Sequence, residues 1–243
     1  MSFILNDDHL SDVVVDMRLA SLFTGGKDST YATRLAVEGG DEVAYLVTML
    51  PGRGDSWMFH TVNITLAQMV AEAVGIDQVS AATSGEKERE LDDLKNTLSG
   101  LDVDGVVSGA IASTYQRSRV DRICNELGLE HRAPLWGRDG RGLLEEMLSA
   151  GLFMVVTAVA AMGLEQRWLG RVLDAAAVEE LADLHRRFGV DICGDGGEME
   201  TLVLDAPWFR SRLEIVRARS VWDGVSGSYL VEEARLRPKG LDA

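Results

Sequence analysis

Strand-like segments alternate with amphipathic helix-like segments from residue 17 to residue 136, and this alternation constrains the fold most. The hydrophobic pattern predicts strands at 17–23, 41–50, 77–83, 104–111 and 130–136, and helices at 29–38, 60–75, 86–98 and 116–127. Strands that alternate with helices of this length form a parallel sheet with helices on both faces. The sequence therefore predicts an α/β fold with a doubly wound parallel sheet.

The second half of the chain is less regular. It predicts a strand at 153–159, a helix at 176–188 and an antiparallel ribbon at 212–236 around a Gly/Ser turn. The helix should turn Val178, Leu181, Leu184 and Phe188 inward. A break near Pro134 separates a nucleotide-binding domain, 1–133, from a smaller C-terminal α+β domain, 134–243.

The charge is strongly acidic. The 243 residues carry 39 acids and 24 bases, a net charge of −15, and only four of the bases are lysine. Such a surface disfavours a nucleic-acid partner in ordinary salt. The same excess of acid would also suit a salt-rich cytoplasm, because the Debye length falls to about 3 Å at 1 M salt. In that case the charge says little about partners.

Other features concern location and redox chemistry. No apolar run is long enough to span a membrane, and the N-terminus carries neither a basic start nor a cleavage signal, so a cytoplasmic protein is expected. Cys124 falls on the apolar face of a predicted helix. Neither Cys124 nor Cys193 belongs to a C-x-x-C pair, so a disulfide framework and a cysteine metal site are disfavoured.

The segment FTGGKDST, residues 23–30, lies between the first strand and the first helix. Unpaired N–H groups and the helix dipole favour an anion at such a helix start. Gly25 and Gly26 allow close approach of the backbone, and Lys27 adds a positive charge. Thr24 and Ser29 supply hydroxyls. Asp28 would not itself bind phosphate, but it would hold a Mg²⁺ beside the phosphates.

This segment resembles the S-G-G-x-D-S loop of the ATP pyrophosphatase superfamily, with Thr24 in place of the first serine. The resemblance implies a HUP-like PP-loop ATPase domain that splits ATP between the α and β phosphates. Such enzymes attach AMP to a substrate oxygen, release pyrophosphate, and then let a nucleophile displace AMP.

Further motifs narrow the resemblance. The stretches MFHTVN (58–63), GAIASTYQRSRVDRICNELGL (109–129), PLWGRDGRGLLEEM (134–147) and CGDGGEMETLVLDAPWF (193–209) are similar to the diphthine–ammonia ligase family, and to its archaeal form in particular. That family implies ATP-dependent amidation, with ammonium, of diphthine, a modified histidine on translation elongation factor 2. The likeness runs almost end to end.

The resemblance also implies roles for individual residues. The ATP site comprises Thr24, Gly25, Gly26, Lys27, Asp28, Ser29, Gly109, Tyr115, Gln116 and Arg119; Arg117 is a further candidate for a phosphate contact. The substrate site comprises Gly196, Gly197, Glu198, Glu200 and Thr201. Lys27, Asp28, Glu198 and Glu200 are the expected catalytic residues, and Asp28 is the expected metal ligand.

The substrate motif suggests its own chemistry. In an extended segment Glu198 and Glu200 would project to the same side. A carboxylate suits the trimethylammonium group of diphthine or acts as a base toward ammonium, and the aromatic face of Trp136 or Tyr115 also suits such a cation. Asp195 stands where the family usually has glutamate, and Met199 where it usually has an aromatic residue, which leaves the role of Asp195 open.

Two rival interpretations remain. One is another PP-loop ATP pyrophosphatase, such as a tRNA-modifying thiolase, although the unpaired cysteines count against sulfur transfer. The other is a nucleotide-binding sensor without turnover. A homodimer is possible, and a halophilic archaeal source is inferred from the charge and the motifs.

Overall fold

The computed structural model describes residues 17–52, 62–84 and 89–240. Its first half contains β1 (Arg18–Leu22), α1 (Lys27–Glu38), β2 (Glu42–Pro51), α2 (Ala67–Val74), β3 (Asp77–Thr83), α3 (Arg89–Ser99), β4 (Gly105–Val107), α4 (Thr114–Leu127) and β5 (Glu130–Arg132). A short 3₁₀ turn, Ile64–Leu66, precedes α2. The five strands form one parallel sheet in the order β3-β2-β1-β4-β5. The predicted alternation is confirmed.

The helices cover both faces of this sheet. Tyr31 of α1 and Val70 of α2 belong to one buried cluster, whereas Leu94 of α3 and Ile123 of α4 belong to a second. Cys124 is buried in the second cluster, as its place on the apolar face predicts. Two separate cores on a parallel sheet confirm the doubly wound arrangement.

The second half adds α5 (Gly140–Ser149), β6 (Phe153–Val159), α6 (Ala175–Phe188), β7 (Met199–Asp205), β8 (Ser211–Trp222) and β9 (Gly227–Pro238). Its strands form an antiparallel sheet in the order β7-β6-β9-β8. The predicted ribbon corresponds to β8 and β9. Helix α5 is not among the elements that the hydrophobic pattern predicts.

Three sequence expectations need correction. Phe188 does not face the core: it ends α6 and is 40% exposed, with its ring near Gly163. The fourth and fifth strands are shorter than predicted, because the chain leaves the sheet after Val107 and turns after Arg132. Residues 108–110, which follow Val107, line a cavity at this end of the sheet. Positions 60–61 and 86–88 of the predicted helices lie outside the described residues.

The two sheets pack closely together. The N–H of Val203 on β7 donates to the carbonyl of Gly25 at 2.9 Å, and the N–H of Arg210 donates to the carbonyl of Ala73 at 2.7 Å. One buried cluster contains residues of both halves, including Phe23 and Leu202. Within the described ranges, none of the helices has the length and apolar character needed to cross a bilayer.

Candidate functional site

The glycine-rich loop holds itself in shape through local hydrogen bonds. Gly25 has a φ of +75°, a conformation that glycine adopts readily, and Gly26 is the extended N-cap of α1. The N–H of Thr24 donates to Ser29 Oγ at 3.2 Å, and the N–H of Gly26 donates to Thr24 Oγ1 at 3.3 Å. The helix begins at Lys27, two residues earlier than predicted, so Lys27 and Asp28 lie in its first turn.

Strand β7 braces this loop from the second sheet. Thr201 Oγ1 accepts the N–H of Lys27 at 3.1 Å. A side chain on Gly26 would meet the Thr201 carbonyl at 3.2 Å, which leaves little room there. The segment predicted to bind substrate is therefore attached directly to the segment predicted to bind phosphate.

Lys27 and Asp28 form a close ion pair at the helix start. Lys27 Nζ lies 3.0 and 2.8 Å from the two oxygens of Asp28. Lys27 is 2% exposed, whereas the Asp28 side chain is 29% exposed. Burial disfavours the charged lysine, but the carboxylates of Asp28 and Asp195 outweigh it and raise the pKa of Lys27. The site therefore contains a fixed positive charge at neutral pH.

A cavity of about 380 Å³ lies in front of this loop, at the carboxyl ends of β1, β2 and β4. Leu22, Val47, Met49 and Val120 contribute an apolar part of its wall. Most of the predicted site residues line it, namely Thr24, Gly26, Lys27, Asp28, Ser29, Gly109, Tyr115, Gln116, Gly196, Gly197, Glu200 and Thr201. Gly25, Arg119 and Glu198 are not among the lining residues of the described chain.

Gly109 also has a packing role that the sequence did not suggest. A Cβ at this position would lie 2.7 Å from the carbonyl carbon of Asp28 and 2.8 Å from the nitrogen of Ser29. Both are backbone atoms of the first turn of α1, and they cannot move away without distorting the start of the helix. Glycine therefore lets the loop after β4 approach the start of α1.

The guanidinium groups of the two arginines near the start of α4 each pack against an aromatic ring. The Arg119 guanidinium lies 3.3 Å from the centre of the Tyr115 ring and donates to the Tyr115 carbonyl at 3.1 Å. Arg117 lies 4.4 Å from the centre of the Trp136 ring. These contacts are cation–π interactions, so one face of each proposed aromatic platform is already covered.

The acidic turn does not present two parallel carboxylates. Glu198 lies in a turn before β7, where the alternation of a strand does not apply, and its Oε2 accepts the N–H of Asp191 at 2.7 Å. Glu200 lies on β7 and lines the cavity. The expectation that both side chains share one side is therefore wrong.

Asp195, whose role the sequence left open, joins this turn to the loop after β4. Its Oδ2 accepts the N–H of Ala112 at 2.7 Å, and it lines the cavity. The side chain of Asp195, although shorter than the glutamate usual in the family, therefore has a defined hydrogen-bond partner in the N–H of Ala112.

Asn63 is a lining residue whose contacts only the structure reveals. Its φ is +57°, and its side chain makes no cap of the following 3₁₀ turn. Instead its Nδ2 donates to the Tyr229 carbonyl at 2.9 Å and its Oδ1 accepts the N–H of Val231 at 3.0 Å. It thus fixes the segment before α2 to β9. Residues 58–61 of the MFHTVN motif lie outside the described residues.

A parallel sheet with a braced glycine loop, a buried lysine and a cavity at the carboxyl ends of its strands is typical of the α/β proteins that bind ligands at that edge. Two family models identify the chain further: the diphthamide synthase N-terminal domain matches residues 17–131, and the diphthamide synthase C-terminal domain matches residues 139–236. The chain belongs to the diphthamide synthase family, and it is an enzyme of the ligase class.

Curated relatives agree with this assignment. A diphthine–ammonia ligase of Danio rerio is 37% identical over 227 residues, which cover 84% of this chain and 89% of the relative. A diphthine–ammonia ligase of Homo sapiens is 34% identical over 220 residues, which cover 81% and 82%. A solved structure described as a predicted subunit of tRNA methyltransferase from Methanocaldococcus jannaschii aligns at 14% identity over 79% of this chain and 98% of its own, with a TM-score of 0.42. A likeness that weak says nothing about what this chain binds.

Proposed function

We propose that this enzyme catalyses the ATP-dependent amidation of diphthine on translation elongation factor 2 to diphthamide. An acyl-adenylate forms first, with release of pyrophosphate, and ammonia then displaces AMP. One observation carries the proposal: the glycine loop with Lys27 and the strand with Glu200 and Thr201 face the same cavity and are hydrogen-bonded to each other. A ligand bound at the loop would therefore lie beside the second motif.

The loop suits the phosphate end of ATP. The buried Lys27 supplies a positive charge, and the start of α1 attracts anions. Thr201 accepts the N–H of Lys27, and the Gly26 carbonyl accepts the N–H of Thr30, so these two groups are not available to a ligand. The N–H groups of Asp28 and Ser29 and the hydroxyls of Thr24 and Ser29 would bind the phosphates. Gly109, Tyr115 and Gln116 complete the cofactor side. Gly25 and Arg119 contribute indirectly, because the Gly25 carbonyl accepts the N–H of Val203 and Arg119 donates to the Tyr115 carbonyl.

The donors present fit a Mg²⁺ that is held mainly by phosphates and water. Magnesium in such sites takes only one or two carboxylates from the protein. Asp28 lines the cavity and is partly exposed. In the described ranges, no group of three or more acidic, histidine or cysteine side chains is placed to hold a metal. When bound, the ion would neutralise phosphate charge, and Asp28 is the residue that would hold it.

The substrate side rests chiefly on Glu200. A carboxylate in the cavity suits the trimethylammonium group of diphthine, which offers no hydrogen bonds, and it also suits ammonium. Gly196 and Gly197 line the same cavity, and neither has a side chain that would hinder a protein loop carrying the modified histidine. Glu198, expected from the sequence to be catalytic, is proposed instead as a positioning residue of this turn, since its carboxylate accepts the N–H of Asp191.

The proposal includes the wider setting of the enzyme. Residues 1–133 would bind the nucleotide and residues 134–243 would bind the protein substrate. We place the enzyme in the cytoplasm of a halophilic archaeon, with a homodimer as a possible form. In a salt-rich cytoplasm the net charge of −15 does not discriminate between partners, so it is the absence of a C-x-x-C pair that weighs against a tRNA-modifying thiolase.

The test uses purified protein in high KCl with ATP, Mg²⁺, ammonium and elongation factor 2 that carries diphthine. AMP release is measured together with the mass of the modified histidine peptide. We expect one AMP for each diphthine carboxyl group converted to an amide, a change that lowers the mass of the peptide. AMP without that mass change would favour another ATP pyrophosphatase, and the absence of AMP at any salt concentration would leave the nucleotide-binding sensor.

A further inference from the structure

Three side chains to which the sequence motifs assigned no role form a continuous hydrogen-bonded chain that ends in the cavity. Ser108 Oγ lies 2.8 Å from His131 Nε2, and His131 Nδ1 lies 2.6 Å from Asp121 Oδ1. Ser108 follows β4, His131 lies on β5 and Asp121 lies on α4. Ser108 lines the cavity, whereas the two other members do not.

The bonding partners determine where the protons lie. An ionised carboxylate only accepts hydrogen bonds, so His131 Nδ1 carries a proton toward Asp121. The relay uses the ring with Nε2 unprotonated, in which Nε2 is an acceptor and the Ser108 hydroxyl donates to it. The lone pairs of Ser108 Oγ are left for a donor in the cavity. This is the arrangement in which a hydroxyl can accept a proton while it passes its own to imidazole.

The surroundings hold this chain in position. The N–H of Ser108 donates to the Arg132 carbonyl at 2.9 Å, which sets the end of β4 against β5. The His131 side chain is 5% exposed, so its ring has little access to water. Asp121 is 43% exposed, and its other oxygen lies 3.7 Å from Arg117 Nε. The backbone bond already joins the two strands, so the side-chain hydrogen bonds are not required for that purpose.

We propose that Ser108, His131 and Asp121 form a proton relay that deprotonates ammonium in the cavity of this ligase. Ser108 is the catalytic residue that touches the nucleophile. His131 and Asp121 are positioning residues that act through it. The inference rests on the proposed function, because ammonium must lose a proton before it can attack an acyl-adenylate.

An N–H bond of ammonium breaks and its proton goes to Ser108 Oγ, while the original hydroxyl proton moves to His131 Nε2. The nitrogen lone pair forms the C–N bond, and the C–O bond to AMP breaks with its electron pair on AMP. The remaining surplus proton on nitrogen leaves with AMP. Asp121 stabilises the imidazolium, which returns its proton through Ser108 to water once the cavity empties.

The test separates nucleophile activation from every other role by comparing two nucleophiles. His131→Gln and Asp121→Asn are assayed for ATP–pyrophosphate exchange in the presence of diphthine-bearing elongation factor, and then for product formation with ammonium and with hydroxylamine. Hydroxylamine is largely unprotonated at neutral pH and does not need the relay. We expect product formation from ammonium to fall about 10²- to 10³-fold, while hydroxylamine restores it and exchange stays within about threefold.

His185→Gln is the matched control, because this exposed histidine lies on α6 and its Nδ1 lies 2.8 Å from the Val190 carbonyl, away from the cavity. Equal losses with both nucleophiles, or a parallel loss of exchange, would show that the three residues only orient the nucleotide and would overturn the relay. Asp121→Asn keeps this test valid if His131→Gln fails to fold. No exchange in the unchanged enzyme would overturn the proposed function itself, and the relay with it.

Discussion

Gly109 shows how a single hydrogen atom in place of a side chain determines the geometry of the loop. We expect Gly109→Ala to lower the free energy of unfolding by about 1–3 kcal/mol, because the added Cβ overlaps the backbone of Asp28 and Ser29. ATP binding should weaken as well, since the start of α1 must move. Urea denaturation and nucleotide titration measure the two effects.

Gly100→Ala serves as the control for that experiment, because the nearest atom to its added Cβ would be the Thr97 carbonyl oxygen at 3.6 Å. It should leave ATP affinity unchanged. A Gly109→Ala protein with the affinity and stability of the unchanged enzyme would contradict the close packing described for this position.

The two glutamates of the acidic turn should respond differently to the same substitution. Glu200→Gln removes a charge from the cavity, so we expect kcat/KM for amidation to fall about 10²-fold with little loss of stability. Glu198→Gln retains an oxygen that accepts the N–H of Asp191, so most activity should remain. Steady-state kinetics and thermal unfolding of both proteins decide the matter. An equal loss of activity in both would restore Glu198 as a direct participant.

At the scale of elements, the hydroxyl of Thr201 joins β7 to the first turn of α1, in addition to the backbone bond from Val203 to Gly25. Thr201→Val keeps the shape of the side chain but leaves the N–H of Lys27 without its acceptor, which should cost about 1–3 kcal/mol of folding free energy. ATP affinity should fall with it, because the loop loses its brace. Thr201→Ser keeps the oxygen and should behave like the unchanged enzyme, and a Thr201→Ser protein as impaired as Thr201→Val would count against this account. Chemical denaturation and ATP titration give both readouts.

Helix α6 is attached to the segment before it through Glu180. Arg171 donates to both carboxylate oxygens at 2.9 and 2.7 Å, and Arg167 donates to one at 2.9 Å. Arg171 chiefly, together with Arg167, lowers the pKa of Glu180 to about 2. A lowered pKa in the folded state stabilises the fold above the unfolded value of about 4.3, and this stabilisation is lost as the pH falls toward 2.

The expected result is a pH-dependent difference between the unchanged protein and Glu180→Gln. The free energies of unfolding should differ above about pH 5 and converge as the pH falls toward about 2, because protonated glutamate resembles glutamine in charge. Denaturation curves across this range provide the measurement. A difference that stays constant with pH would mean that these ion pairs add no net stability.

The charge of the whole molecule leads to a prediction about salt. At a net charge of −15, self-repulsion should destabilise the folded state in dilute buffer, and molar KCl should raise the melting temperature. Sucrose at matched water activity controls for exclusion of solute from the protein surface. Equal melting temperatures with and without KCl would remove the halophilic interpretation.

Much of the architecture could be predicted because its signals are local. The alternation of strand-like and helix-like hydrophobic segments predicted a doubly wound sheet. The position of the glycines between a strand and a helix located the loop before α1. The short length of β4 and β5 was not predictable, because Ser108 and its neighbours are as apolar or small as strand residues. Only the structure shows that residues 108–110 leave the sheet and line the cavity at the carboxyl end of β4.

The contacts of the site were less accessible to sequence reasoning. Glu198 and Glu200 looked equivalent, but a turn between Gly194 and Glu198 directs one carboxylate to Asp191 and leaves the other at the cavity. His131 had no motif to mark it, and its neighbours in the hydrogen-bonded chain are 10 and 23 positions away in sequence. Such proximity depends on strand register and on the path of α4.

By itself the sequence determined the class of fold, the position of the glycine loop at the start of α1 and the family resemblance, because periodicity, helix-start chemistry and motif spacing act over a few neighbouring residues. Only the tertiary structure decided that β7 supplies Thr201 to the start of α1, that Glu198 turns away from the cavity, and that Ser108, His131 and Asp121 meet. These pairings arise when distant segments bury their apolar faces together, so their geometry depends on the packing of the whole chain.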